Sequence, residues 1–253
     1  MATLAAIVCG CITTQPPHVF RVFHNHTVTA SVTALWQRSA RLSGIPLERQ
    51  TFVVDGSKEA NEALALCNLT HEFKMLVPPA YQGDLMRYCL LWLHGGIYID
   101  LMTTITHPMA WLVDTQPMQL TVVRDMHARA YWNAFMAGPP KHPAFFDALA
   151  LIRDNVRECA LTHSDLGVTG PDLWYRAAHK YNPHIIGTLQ ECKEYAGCVF
   201  VKNVLVNKMP GYQKEFAAMG YVRAQKYSRL WKRGRVYASL RCKLSDFSSL
   251  YWL

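Results

Sequence analysis

Asp84, Arg87 and Asp100 are the residues of this chain whose types and spacing could do chemistry together. Asp84 and Arg87 stand three apart in "YQGDLMRYCLLWLHGG" (81–96), so on a helix they share a face. A carboxylate and a guanidinium on so apolar a segment need a partner, either each other or a ligand. Taken alone, the pair reads as a helix-surface ion pair of little worth. Asp100 changes that weighting. It closes "GGIYID" (95–100), where two glycines stop the helix and a short apolar strand follows. That turn folds the strand back along the helix, so the strand's C-terminal end can lie near the helix start. Three charges then converge at the sheet edge where open α/β proteins bind ligands.

The elements that must position them follow from periodicity and punctuation. "HVFRVFHN" (18–25) alternates and reads as a strand, and residues 28–43 suit a helix. "QTFVVDG" (50–56) is a strand ending in a turn, followed by a helix over 57–66. A helix over 81–94 leads into strand 97–99. Strands are expected at 118–124 and 131–137, with a helix over 142–158 between them and the loop-plus-helix segment "TGPDLWYRAAHKY" (169–181). Beyond about residue 184 the chain reads as short strands such as "CVFVKN" (198–203), then a basic aromatic tail. Alternating strands and helices predict an α/β fold: a mixed, mostly parallel sheet flanked by helices. With no repeat, low-complexity stretch or linker, residues 1–253 read as a single domain.

Composition bounds the partners. Hydrophobic residues make up 51% of the 253 and charged ones 17%, which excludes a disordered chain. The net charge of +8 favours anionic partners: phosphate-bearing ligands, nucleic acid or an acidic membrane surface. "LAAIVCGCI" (4–12) is too short to span a bilayer and has no basic residue before it, so a cytoplasmic location is slightly favoured. The eight cysteines form no C-x-x-C pair, which argues against a zinc ribbon; reduced thiols are expected, with Cys89 in the core and Cys192–Cys198 as the one local pairing. Two Asn-x-Thr triplets, at Asn25 and Asn68, match a pattern common by chance. No histidine pair has metal-site helical spacing, and neither a G-x-S-x-G elbow nor a P-loop is present.

"YQGDLMRYCLLWLHGGIYIDLMTT" resembles the central motif of the DXD-containing sugar transferases, in which an Asp-x-x-Arg helix runs into Gly-Gly-x-Tyr-x-Asp-x-Asp. The match rests on Asp84, Arg87, Tyr88, Gly95, Gly96, Tyr98 and Asp100. Weaker likenesses occur in order: "QPPHVFRVFHN" (15–25), "YWNAFMAGPPKHPAFFDAL" (131–149), "VTGPDLW" (168–174) and "YSRLWKRGRVY" (227–237). Together they span roughly residues 15–237. The resemblance implies a GT-A-like nucleotide-binding domain that moves a sugar from a UDP- or GDP-linked donor to a hydroxyl of a glycan or other acceptor, with retention. It implies catalytic roles for Asp84, Arg87 and Asp100. It implies donor-binding roles for Phe23, His24, Tyr88, Gly95, Gly96, Tyr98, Asn133, Gly170, Asp172, Tyr227, Ser228, Trp231 and Lys232. Asn133 and the Thr169–Asp172 loop would line the sugar or acceptor side. Nucleic acid is then not an expected partner, although basic residues interleaved with aromatics also suit single strands.

The family's second Asp, a ligand of Mn²⁺ or Mg²⁺, is here Met102. A thioether is a poor ligand for a hard cation. Three outcomes stay open. Asp100 holds a weakly bound metal with help from donor phosphates and Asp125 or His107; or Lys226, Arg229, Lys232, Arg233 and Arg235 of the tail replace the metal; or the fold binds a nucleotide sugar or glycan without turnover.

Overall fold

The computed structural model describes residues 18–23, 30–100, 103–105, 119–192, 195–201, 204–208, 226–238 and 242. Nine strands occur among them: β1 (Val19–Phe23), β2 (Gln50–Val54), β3 (Gly96–Ile99), β4 (Thr103–Ile105), β5 (Thr121–Arg124), β6 (Tyr131–Gly138), β7 (His184–Cys192), β8 (Tyr195–Val201) and β9 (Val204–Lys208). The helices are α1 (Ala30–Ser43), α2 (Lys58–Leu66), α3 (Thr70–Met75), α4 (Pro79–His94), α5 (Pro143–Glu158), α6 (Pro171–Ala178) and α7 (Tyr227–Lys232).

The strands form one sheet in the order β2-β1-β3-β6-β5-β7-β8-β9-β4. In the six strands from β2 to β7, β1/β2, β1/β3 and β5/β7 pair in parallel, while β6 is antiparallel to β3 and β5. This is the mixed, mostly parallel α/β sheet expected from the sequence. From β7 onward the pairings are antiparallel, an extension the short-strand reading of 198–203 only partly anticipates.

Side-chain alternation sends each strand's residues to opposite faces. Phe20, Val22, Tyr98, Val122 and Met136 join one core cluster with α4, α5 and α6. Val19, Ile97, Ile99, Val123, Phe135 and Ala137 join a second cluster on the other face. Asp100, two residues past Tyr98, therefore continues the face that α4 covers.

The cysteines depart from expectation. Cys67 is bonded to Cys89 and Cys159 to Cys242. The first bond joins packed helices α2 and α4, and the second ties Cys242 to the end of α5. Neither is local in sequence, which is why spacing alone misses them. The β7/β8 register sets Cys198 opposite Gln190 and Cys192 opposite Tyr195. No described helix is long and apolar enough to cross a membrane.

Candidate active site

Helix α4 starts at Pro79, two residues before the expected position, because proline suits the first helical turn. It ends at Gly95, whose φ is +63°, and Gly96 follows at +98°. A Cβ on Gly95 would meet the Pro140 nitrogen at 2.4 Å, and one on Gly96 the His18 carbonyl oxygen at 2.4 Å. The two glycines thus permit a turn that other residues would obstruct. They stand at the opposite end of β3 from Asp100.

At the near end, Asp84 and Arg87 lie almost fully buried, at 7% exposure each. Arg87 Nη2 is 3.2 Å from Asp84 Oδ1. Arg87 Nη1 donates to the Asn133 carbonyl at 2.7 Å and Nε to the Gly83 carbonyl at 3.3 Å. Its guanidinium lies 4.5 Å from the Tyr98 ring centroid. Asn133, on β6, donates from Nδ2 to Asp84 Oδ1 at 2.9 Å and to the Tyr88 hydroxyl at 3.3 Å. Thr169 donates from Oγ1 to Asp84 Oδ2 at 2.7 Å, while Tyr88 donates to the Thr169 carbonyl at 3.2 Å. Asn155 holds the same loop by donating to the Val168 carbonyl. A buried carboxylate thus receives Arg87, Asn133 and Thr169, the satisfaction that such a charge needs.

Burial pushes the Asp84 carboxyl up to about 6; Arg87, Thr169 and Asn133 oppose that rise, and the nearby Asp100 charge adds to it. Burial alone would lower Arg87, but Tyr98, Asp84 and Asp100 around it hold its protonation above the ordinary value. Burial also raises Tyr88 and Tyr98, so both stay neutral hydrogen-bonding groups.

Asp100 is half-buried, and the Tyr98 hydroxyl approaches its Oδ1 at 3.5 Å. Its backbone is pinned on two sides. Its N–H donates to the Ala134 carbonyl at 2.8 Å, and its carbonyl accepts from the Thr103 N–H at 2.9 Å. A further group was missed by the sequence reading. Arg21, at 2% exposure, donates from Nη1 to the Asp100 carbonyl at 2.8 Å and to the Thr103 carbonyl at 2.9 Å. Burial lowers Arg21 to about 10, opposed by Tyr98 and Asp100, so it stays charged at neutral pH. Its signal in the sequence is the single cation inside the apolar strand "VFRVF".

The structure brings Asp84, Arg87, Tyr88, Tyr98, Asp100, Asn133 and the Thr169–Gly170 loop together. Gly170 lies against Asp84: a Cβ there would stand 3.7 Å from Oδ2. Asp172, at the start of α6, accepts from Ser164 and lies 3.5 Å from His163. The tail helix α7 packs beside α4, with Tyr227 5.9 Å from the Tyr81 ring. Burial, with the Asp165, Asp84 and Asp125 charges, pushes Tyr227 up to about 12. Trp231 donates its indole N–H to the Leu161 carbonyl, and Ser228 is half-buried. Lys226, Arg229, Lys232, Arg233 and Arg235, in and around α7, are all exposed. Phe23 ends β1. His24, Met102 and His107 lie outside the described residues.

No group of three or more His, Cys, Asp or Glu side chains gathers among the described residues. Asp84 is buried and already receives three donors, whereas Asp100 is partly exposed at the end of β3 and would be the carboxylate to meet a cation. That fits an ion of the Mg²⁺ type, which takes one or two carboxylates and completes its shell with substrate phosphates and water.

Residues 31–121, just over a third of the chain, match the family model of the glycosyltransferase sugar-binding region containing a DXD motif. The match bears out the resemblance over the segment that holds Asp84, Arg87 and Asp100. No curated protein matches the chain at a significant level. Among solved structures, the chain is similar to one titled PaToxG Glycosyltransferase, at 16% identity and a TM-score of 0.49, over 90% of this chain and 83% of that one.

Proposed function

We propose that this chain is a glycosyltransferase that moves a sugar from a UDP- or GDP-linked donor to a hydroxyl of a glycan or other acceptor. The observation that carries this reading is the buried Asp84–Arg87–Asn133–Thr169 network, set directly behind the half-exposed Asp100. In this reading Arg87 and Asp100 face the donor, while Asp84, Asn133 and Thr169 fix Arg87 in place. The acceptor oxygen bonds to the anomeric carbon as the bond from that carbon to the diphosphate breaks. The electron pair leaves on the diphosphate, which takes up the acceptor's proton on the same face. Retention rests on resemblance alone.

A divalent ion held by Asp100 and donor phosphates would neutralise charge on the leaving diphosphate. Met102, where the family has a second Asp, weakens that grip. The exposed Lys226, Arg229, Lys232, Arg233 and Arg235 in and around α7 are the cations this chain offers instead. Met102 also favours a second reading, a nucleotide-sugar or carbohydrate binder without turnover. Two disulfides support an oxidising compartment over the cytoplasm, and the basic surface suits peripheral membrane contact.

Thermal shift with a nucleotide-sugar panel, with and without Mn²⁺, separates these readings. Stabilisation with nucleotide release supports transfer, and stabilisation without release across acceptors and water supports the binder. No shift with any donor rejects both. Met102→Asp is expected to create or strengthen Mn²⁺ dependence; an unchanged metal response argues against the metal-light account.

A further inference from the structure

Beside the donor network lies a cleft that the mechanism above does not use. A cavity of about 750 Å³ opens where the β5–β6 hairpin meets α6, within the usual size range of small-molecule sites. A second space of about 540 Å³ shares Arg129, Tyr175 and His179 with it and reaches Arg176 and Asp172.

Strand register fixes where this cleft stands. Asp100 bonds to Ala134 on β6, and Arg124 of β5 pairs with Tyr131 on the same strand. Both β3 and β5 run antiparallel to β6, so their C-terminal ends share one sheet edge. Three residues along β6, about 10 Å, and the two strand spacings from β3 across β6 to β5, again about 10 Å, separate Asp100 from Arg124, a span of roughly 14 Å. The cleft is therefore about two to three sugar lengths from Asp100. Its floor is Tyr131, two residues before Asn133, and its wall is the helix that follows the Thr169–Gly170 loop.

Its chemistry is cationic and aromatic. Arg124, Arg129 and Arg176 are exposed and have no ion pair among the described residues. The nearby acids are already engaged: Asp125 Oδ1 accepts the His127 N–H, and Asp172 accepts from Ser164 with His163 beside it. Tyr175 stacks on His179 at 5.0 Å and 8°, and meets Tyr131 at 5.0 Å. Aromatic rings provide a platform for a sugar's apolar face, and unpaired arginines recognise phosphate or carboxylate.

The geometry points to this cleft as the acceptor subsite, selecting a saccharide that bears an anionic group, phosphate or carboxylate. This inference rests on the glycosyltransferase reading. Its test uses the full chain and three probes of equal length: maltotetraose, phosphorylated maltotetraose and tetragalacturonate. Binding is measured by calorimetry at low and high salt, with donor-nucleotide affinity measured in parallel. Wild type is expected to bind one or both anionic probes at least tenfold more tightly than maltotetraose, with salt weakening the difference. Which of the two binds tells phosphate from carboxylate. Arg129→Ala/Arg176→Ala, both at exposed positions, is expected to erase that preference while leaving donor-nucleotide affinity unchanged. Equal binding of all three probes, or binding of none, overturns the proposal. So does a double variant that keeps the preference, or one that loses donor affinity, since the cleft would then serve the donor. Failure of wild type to bind any donor nucleotide would instead reject the transferase reading itself.

Discussion

Arg21 and Arg87 approach the Asp100 turn from opposite faces of the sheet. Arg87 stands with Tyr98 on the α4 side, whereas Arg21 shares its parity with Val19 on the other. Arg21 grips two carbonyls of the turn that presents Asp100. Arg21→Met would leave both carbonyls without that donor and remove the cation beneath the turn. Donor-nucleotide affinity is expected to fall by roughly tenfold or more, a loss of about 1.4 kcal/mol or greater, with partial recovery in Arg21→Lys; calorimetric titration measures both. Asp84 carries a pH expectation. Its folded value of about 6 lies above the ordinary 3.8. Protonation removes the charge that fixes Arg87, so donor affinity should decline as pH falls through about 6. For stability the sign reverses. The folded state holds this proton more tightly, so the contribution is full below 3.8 and lost as pH rises through about 6. Donor titrations and urea melts across that window, compared with Asp84→Asn, test the two signs separately.

At the scale of elements, the α4–turn–β3 unit does the positioning. Gly96→Ala would push a Cβ into the His18 carbonyl at a φ of +98°. A loss of roughly 1–3 kcal/mol is expected in chemical denaturation. Because Gly96 lies at the far end of β3, donor affinity of the folded variant should be unchanged. A stable Gly96→Ala protein that no longer binds donor would place this glycine at the ligand instead. This unit was legible in the sequence because its signals are local: an opening proline, an apolar helical run, two glycines and alternation up to Asp100. Asp84 and Arg87 were legible through the motif those elements carry, and Asn133 through the weaker likeness over residues 131–149. Arg21 was not, since its partners lie 79 and 82 residues away. Helix α3 and strand β4 escaped notice because six and three residues give too little periodicity to read.

Across the whole molecule, the disulfides tie the ends of the fold to its centre. Cys67–Cys89 links α2 to the site helix α4, and Cys159–Cys242 fastens the tail across a separation of 83 residues. The same tail pairs Tyr237 with Leu76 and donates from the Tyr237 hydroxyl to the Ala160 carbonyl. Peptide mapping after thiol labelling should find these four cysteines protected until reductant is added. Reduction should then lower stability by roughly 2–4 kcal/mol for each bond; free labelling of Cys67 and Cys159 without reductant would contradict the pairing. Within these ties lies the candidate active site. Arg87→Ala is a blunt probe of it, because an unpaired buried Asp84 would cost about 3–5 kcal/mol of stability. Asp100→Asn is nearly isosteric at a half-exposed position, so it isolates the chemistry. The most direct measurement is nucleotide release from a UDP- and GDP-sugar panel by wild type and by Asp100→Asn, with folding of both verified by thermal melt. Release from at least one donor by wild type, and its loss in a folded Asp100→Asn, is the expected result. Equal release by the two proteins, or none by wild type with any donor and acceptor, would contradict the account.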